Sequence, residues 1–250
     1  MSAPGFFGDE PVFVFHRLVG AADDAFARAV YSWFPVLEDY ESGFGSFDEY
    51  RSNALDEQWL SALCLVTGFW NRKGSRFADR YPNLSRSGRV WLWTIGRPPF
   101  DFAAEFYAKL LVSCRRNPSS WHPTFWQFLD NMPNPLASAM EVTADSFGRD
   151  IDRYAFVGDA RTYADTLASL RLRLISELET LPETANLQRL RITLERPLPA
   201  ESASTIDPEA AEIVAGLSDD DREHFEARNP LDLRLWKAVS ERYFESDANT

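Results

Sequence analysis

An apolar run, Val12-Phe13-Val14-Phe15-His16, follows Pro11 and shows no polar alternation. A β-branched and aromatic run of this kind reads as a short buried strand. It gives way to Arg17-Leu18-Val19-Gly20-Ala21-Ala22-Asp23-Asp24 and then to a helical stretch over residues 25–33. Strand, small-residue turn and helix are the layout of a phosphate-binding loop, where amides at a helix start hold an anion. Strands go on alternating with helices downstream. That alternation predicts an α/β chain with a mostly parallel central sheet covered on both faces.

Further strands are expected at 62–69 (ALCLVTGF), 90–95 (VWLWTI) and 154–157, with Gly96-Arg97-Pro98-Pro99 stopping the second of these. Phe102, Phe106 and Leu110, with Ala103, Tyr107 and Cys114, recur at helical spacing and predict a helix over 100–115. Shorter helices are expected at 122–130, 135–142 and 146–152. Leu167, Leu170, Leu174 and Leu178 mark an amphipathic helix after Gly158. The C-terminal tail reads as helical: 207–215, then a start capped by Ser218 with Asp219, Asp220 and Asp221 favouring its dipole, then a stripe of Leu231, Leu235, Val239 and Tyr243. Residues 38–54, 71–87 and 196–208 read as loops or irregular connections, with a short helix opening at 56–60. There is no internal repeat, and the chain reads as one domain, 1–250.

Hydrophobic content of 45% and aromatic content of 14% indicate a packed core. A net charge of −12 argues against nucleic acid or an anionic membrane as a partner, since both need a basic face. A polyanionic acceptor is disfavoured too, unless a local basic cleft overrides the field. Cys64 and Cys114 sit in apolar sequence and read as two buried free thiols in a reducing compartment. No basic start with an apolar run opens the chain, and no apolar stretch reaches ~20 residues, so a cytoplasmic location is expected. His16, His122 and His224 show no metal spacing, and no metal is expected. His16 reads as a strand-end packing residue. Residues 121–128 (WHPTFWQF) read as a helix core stripe or as a sugar-stacking platform.

Five segments resemble the sulfotransferase family, the carbohydrate type related to heparan sulfate 2-O-sulfotransferases. The first is the loop region at 12–24, where the family has a strand ending in His and then Ile-Pro-Lys-Thr-Gly-Gly-Thr-Ser. Gly68-Phe69-Trp70 falls where the family shows Gly-His-Phe. Thr94-Ile95-Gly96-Arg97-Pro98-Pro99 through Tyr107 is similar to its Arg-Asp-Pro motif and the Ser-x-Tyr on the next helix. Phe156-Val157-Gly158 with Tyr163 and Leu167 is similar to its Phe-Val-Gly strand and following helix. Leu217-Ser218, then Asn229, Asp232, Leu235 and Trp236, resembles its closing Asn-x-x-Asp-x-x-Leu-Tyr pattern. The resemblance implies a P-loop-like sulfotransferase fold, a helical C-terminal tail, and 3′-phosphoadenosine 5′-phosphosulfate (PAPS) as sulfuryl donor to a carbohydrate or small-molecule hydroxyl.

The residues at the implied site depart from that chemistry. The loop lysine that neutralises charge on the transferring group is Val19; losing such a contact commonly costs ~3 kcal/mol. The histidine base is Phe69, whose ring accepts no proton. Arg97 stands at the 3′-phosphate position, where a guanidinium grips phosphate in a fork. The serine on the following helix is Glu105, which repels phosphate. Arg97 therefore either retains a nucleotide or pairs with Glu105 and closes the pocket. Asp23 and Asp24 replace loop hydroxyls and can cap the helix start themselves. Gly20 remains in the loop, and Arg17 lies two residues from Val19 as a substitute cation. Arg191, with Arg189 and Arg196, lies in the region that covers the nucleotide in the family. Asp56 or Glu57 would have to supply a replacement base. Two functions follow: a family member without standard catalysis that works as a binding or regulatory partner, through another protein or as a homo-oligomer, or an active enzyme using Arg17, Arg97 and another carboxylate.

Overall fold

The computed structural model describes residues 11–19, 21, 24–40, 46–57, 60, 64–70, 76–115, 122–197 and 207–244. Five strands form one sheet: β1 (Val12–His16), β2 (Val36–Asp39), β3 (Leu65–Gly68), β4 (Val90–Gly96) and β5 (Tyr154–Asp159). Their order is β2-β3-β1-β4-β5, and every pairing is parallel. Phe15 stands beside Thr67 on one side and Trp93 on the other, so β1 is the central strand.

Side-chain alternation along β1 divides the core. Val12 and Val14 pack on one face with Leu92, Tyr154, Leu136 and Leu235; Phe13 and Phe15 pack on the other with Phe26, Val30, Trp93 and Leu170. Both faces of β1 are therefore dry, and the four side chains are at most 1% exposed. Burying a side chain of this size stabilises by roughly 1.5–3 kcal/mol. The Phe-bearing face is covered by α1 (Asp24–Tyr31), α9 (Tyr163–Glu179) and α10 (Ala185–Leu194). The Val-bearing face is covered by α3 (Phe77–Arg80), α4 (Pro82–Arg86), α7 (Pro135–Ala139), α8 (Phe147–Asp152) and α13 (Pro230–Tyr243). Beyond them, α5 (Pro99–Arg115), α6 (Phe125–Asn131) and α12 (Asp219–Arg228) share an aromatic cluster of Phe100, Tyr107, Phe125, Phe128 and Phe225. α2 (Phe47–Ser52) and α11 (Pro208–Ala215) complete the described elements.

The parallel sheet flanked by helices and the helical C-terminal region match the expectation. Three expectations need correction, the loop reading of 38–54 on two counts. Residues 36–39 pair with β3 as an edge strand. Within 38–54 a helix forms, started by Ser46, whose hydroxyl accepts the Glu49 N–H. Within 71–87 two short helices form, and 71–75 lie outside the described residues. The cysteines are half-buried rather than buried, and both are free thiols. No helix among the described residues is long and apolar enough to cross a membrane.

Candidate functional site

The chain leaves β1 toward β2 on one side of the sheet and leaves β4 toward β5 on the other. The carboxyl ends of β1 and β4 thus diverge, and such a switch point opens a crevice above the sheet. Arg17-Leu18-Val19 lies at one lip and Arg97-Pro98 at the other.

A buried polar brace underlies this crevice. Asp39, at the end of β2, accepts hydrogen bonds from Arg80 Nε (2.8 Å) and from Trp70 Nε1 (3.0 Å). Arg80 Nη2 reaches the other Asp39 oxygen and the Asn53 carbonyl, and Nη1 goes to the Tyr50 carbonyl. The side chains of Arg80 and Asp39 are 2% and 0% exposed. Trp70 folds back over β3 because Gly68 has no side chain; a Cβ there would sit 2.8 Å from the Trp70 ring and 2.9 Å from the Asp39 carbonyl oxygen. Its carbonyl meets His16 Nε2 at 3.1 Å, and His16 Nδ1 faces the Tyr154 hydroxyl at 2.8 Å. Burial lowers the His16 pKa, against the opposing pull of Glu141. Nε2 donates to the Trp70 carbonyl, and the Tyr154 hydroxyl that faces Nδ1 also donates to the Met140 carbonyl at 3.0 Å. His16 is a strand-end packing residue, as its sequence position suggests.

Above the brace, Arg17, Val19 and Phe69 come together. They line a cavity of about 130 Å³ with Leu18, Trp70 and Phe106, and with Met132, Pro135, Ser138 and Ala139 around α7. The Arg17 guanidinium lies 4.9 Å from the Phe69 ring centroid and donates to the Tyr40 hydroxyl at 3.1 Å. Arg97 does not line this cavity. Its Nε donates to the Ala21 carbonyl at 3.3 Å, and it pairs with Glu105 at 3.8 Å. The anticipated Arg97–Glu105 pair thus forms. Gly20 and Asp23 lie outside the described residues; Asp24 opens α1.

Three other expected residues stand elsewhere. Arg191 sits on α10, donating to the Leu178 carbonyl and 3.7 Å from Glu183. Glu57 accepts the Leu84 N–H at 2.5 Å, and Asp56 is exposed; neither lines the cavity. In the segment after Trp121, Phe125 and Phe128 are core, as a helix stripe requires, while Trp126 is exposed and stacks on His224 at 3.7 Å.

The closing motif of the tail sets the cavity wall. Asp232 accepts the Leu136 and Ala137 N–H groups (3.1 and 2.7 Å) at the start of α7. In return, Asn134 Oδ1 accepts the Leu231 N–H at 3.0 Å at the start of α13. Asn229 Oδ1 accepts the Asn134 N–H at 2.6 Å. Asn134 holds a positive φ of 49°, a conformation Asn tolerates better than most residues. The functional reach of Asp39 and Arg80 was invisible in the sequence, because nothing local links residues so far apart.

Among the described residues, the Val19 side chain offers no donor and Arg97 pairs with the Glu105 carboxylate, so these two positions do not match the donor set that PAPS would need. Among the described residues no cluster of three metal-ligating side chains occurs.

Fold and crevice define a parallel α/β protein with its cleft at the β1/β4 switch point. No family model matches the chain, and no curated protein matches it. Among solved structures, a mouse sulfotransferase, SULT7A1 complexed with PAP, matches with a TM-score of 0.47 and 11% identity, covering 96% of this chain and 88% of that one.

Proposed function

We propose that this chain is a sulfotransferase-like protein whose switch-point cleft has lost the standard donor chemistry, and that it works as a binding or regulatory partner. One observation carries the reading: among the described residues, Arg17 and Arg97 at the cleft are both engaged by the chain itself. Arg17 lies against Phe69 and Tyr40, and Arg97 lies between the Ala21 carbonyl and Glu105. An incoming phosphate would have to displace these contacts and meet the Glu105 charge. The motif order along the sequence supports the family, and Val19 and Phe69 support the loss of transfer chemistry. The role left is binding, through another protein or a second copy, with a carbohydrate as the small-molecule candidate and a cytoplasmic location.

Calorimetric titration with adenosine 3′,5′-bisphosphate, the product nucleotide, tests this on wild type and Arg97→Ala. The expected result is no heat and no thermal stabilisation at millimolar ligand. Micromolar binding, about −8 kcal/mol, abolished in Arg97→Ala would establish a live nucleotide site and overturn the reading.

A further inference from the structure

α9 and α10 run antiparallel outside the Phe-bearing face of the sheet. The Arg171 guanidinium reaches the Arg196 carbonyl at 3.4 Å, and the Arg191 guanidinium reaches the Leu178 carbonyl. Their leucines are turned to the core, and their outward faces carry Leu172 and Ile192, 65% and 61% exposed. One copy of the chain leaves both aliphatic side chains in water. Charge is segregated around them. Over residues 168–176 and 188–196 the two helices carry five arginines against one acid, Glu195; their other acids, Asp165, Glu177, Glu179 and Glu183, lie toward the helix ends or in the turn. Arg173 rests on the Phe156 and Tyr243 rings, and Arg191 lies near Glu183. Arg171, Arg189 and Arg196 have no acid in ion-pair range among the described residues.

The opposite side of the molecule carries the complement. α12 buries only Phe225, while Asp219, Asp220, Glu223 and Glu226 are exposed, with no cation in ion-pair range among the described residues. Trp126 stands beside them, 45% exposed, held by its stack on His224 and by an Nε1–H bond to Asp221 at 2.5 Å. Tryptophan is a frequent interface anchor, and arginines pack on its ring face. In a chain of net charge −12, copies repel one another over most of their surface. The middle of the α9–α10 pair is where arginines remove that repulsion. We propose that the chain associates head to tail with a second copy, Trp126 and the acids of α12 in one copy docking on Leu172, Ile192, Arg189 and Arg196 of the next. α12 lies beyond the helices of the Val-bearing face and α9–α10 outside the Phe-bearing face. Two copies therefore cannot make both contacts at once, and the contact repeats along a row instead of closing into a two-fold dimer. This inference rests on the binding role proposed above and names a second copy as the partner.

Sedimentation velocity of the whole chain, from about 10 μM to about 1 mM, tests it. The sedimentation coefficient should rise with concentration at about 0.01 M salt. The rise should fall away near about 1 M salt, as the Debye length shrinks from about 30 Å to about 3 Å. Arg189→Glu/Arg196→Glu blocks one face, and Trp126→Ala/Asp220→Asn/Glu223→Gln blocks the other. Each variant alone should stay monomeric, and an equimolar mixture should form a one-to-one dimer and stop there. The nucleotide titration of the cleft has no part in this readout, so the two readings fail separately. A wild type that stays monomeric throughout would leave these faces to a different protein and overturn the proposal. Association that survives either set of substitutions, or a mixture that yields no dimer, would overturn it as well.

Discussion

The brace and the cleft above it handle charge in opposite ways. In the brace, Asp39 and Arg80 are almost wholly buried, in a fork completed by Trp70 and two carbonyls. In the cleft, Arg97 and Glu105 are 19% and 15% exposed and meet only at 3.8 Å. Burying a charge is costly unless it is paired and hydrogen-bonded, so the tight geometry of the brace is a condition of folding. The looser cleft pair carries no such demand. The scaffold that shapes a switch-point crevice is thus separable from the chemistry the crevice performs. On the function proposed above, the first is kept while the second lacks a donor side chain at Val19 and a base at Phe69.

Variants can break this contrast, and the largest effect belongs to the brace. Arg80→Met leaves the Asp39 carboxylate buried without its partner and should cost about 3–5 kcal/mol in urea unfolding. A loss under about 1 kcal/mol would mean that the brace does not hold the fold.

Asp232 gives the next effect, and it depends on pH. Burial raises its carboxyl from 3.8 to about 7, against the pull of the Ala137 and Leu136 N–H groups. Between those values the folded chain holds a proton that the unfolded chain has released. Stability therefore falls as pH rises from about 4 to about 7 and levels off above that. Wild type should lose a few kcal/mol relative to Asp232→Asn across this window. Parallel pH profiles for the two proteins would refute it.

Gly68→Ala comes third. Its new methyl would press on the Asp39 backbone oxygen as well as on the Trp70 ring. Strain of this kind costs roughly 1–3 kcal/mol, read in the same unfolding experiment. The smallest effect is in the cleft: Glu105→Gln should change stability by less than about 1 kcal/mol. A larger loss would make the Arg97 pair part of the scaffold and erase the contrast.

The sequence disclosed what periodicity and local chemistry encode. β1 and β4 are continuous apolar runs, and the leucine spacing of α9 fixes its core face. The Ser218 cap is realised as a capping box with Asp221. The Arg97–Glu105 pair was foreseeable because the two residues lie on one strand-to-helix junction. β2 escaped notice because Val36-Leu37-Glu38-Asp39 is short and half polar, and only its pairing with β3 makes it a strand. α10 carries a legible signal, with Leu187, Leu190 and Leu194 behind a Thr184 cap, yet its arginines draw attention first. Arg80 lies in a polar stretch whose two short helices form by tertiary packing of Phe77, Tyr81 and Leu84. Its partner Asp39 comes from another strand end, so no local pattern announces the pair.

The cleft itself is tested most directly by calorimetry with adenosine 3′,5′-bisphosphate on wild type beside the double variant Phe69→Ala/Glu105→Gln. A cleft closed by its own contacts predicts no heat from wild type and measurable binding once the Phe69 ring and the Glu105 charge are removed. Micromolar binding to wild type, unchanged or weakened in the double variant, would contradict it.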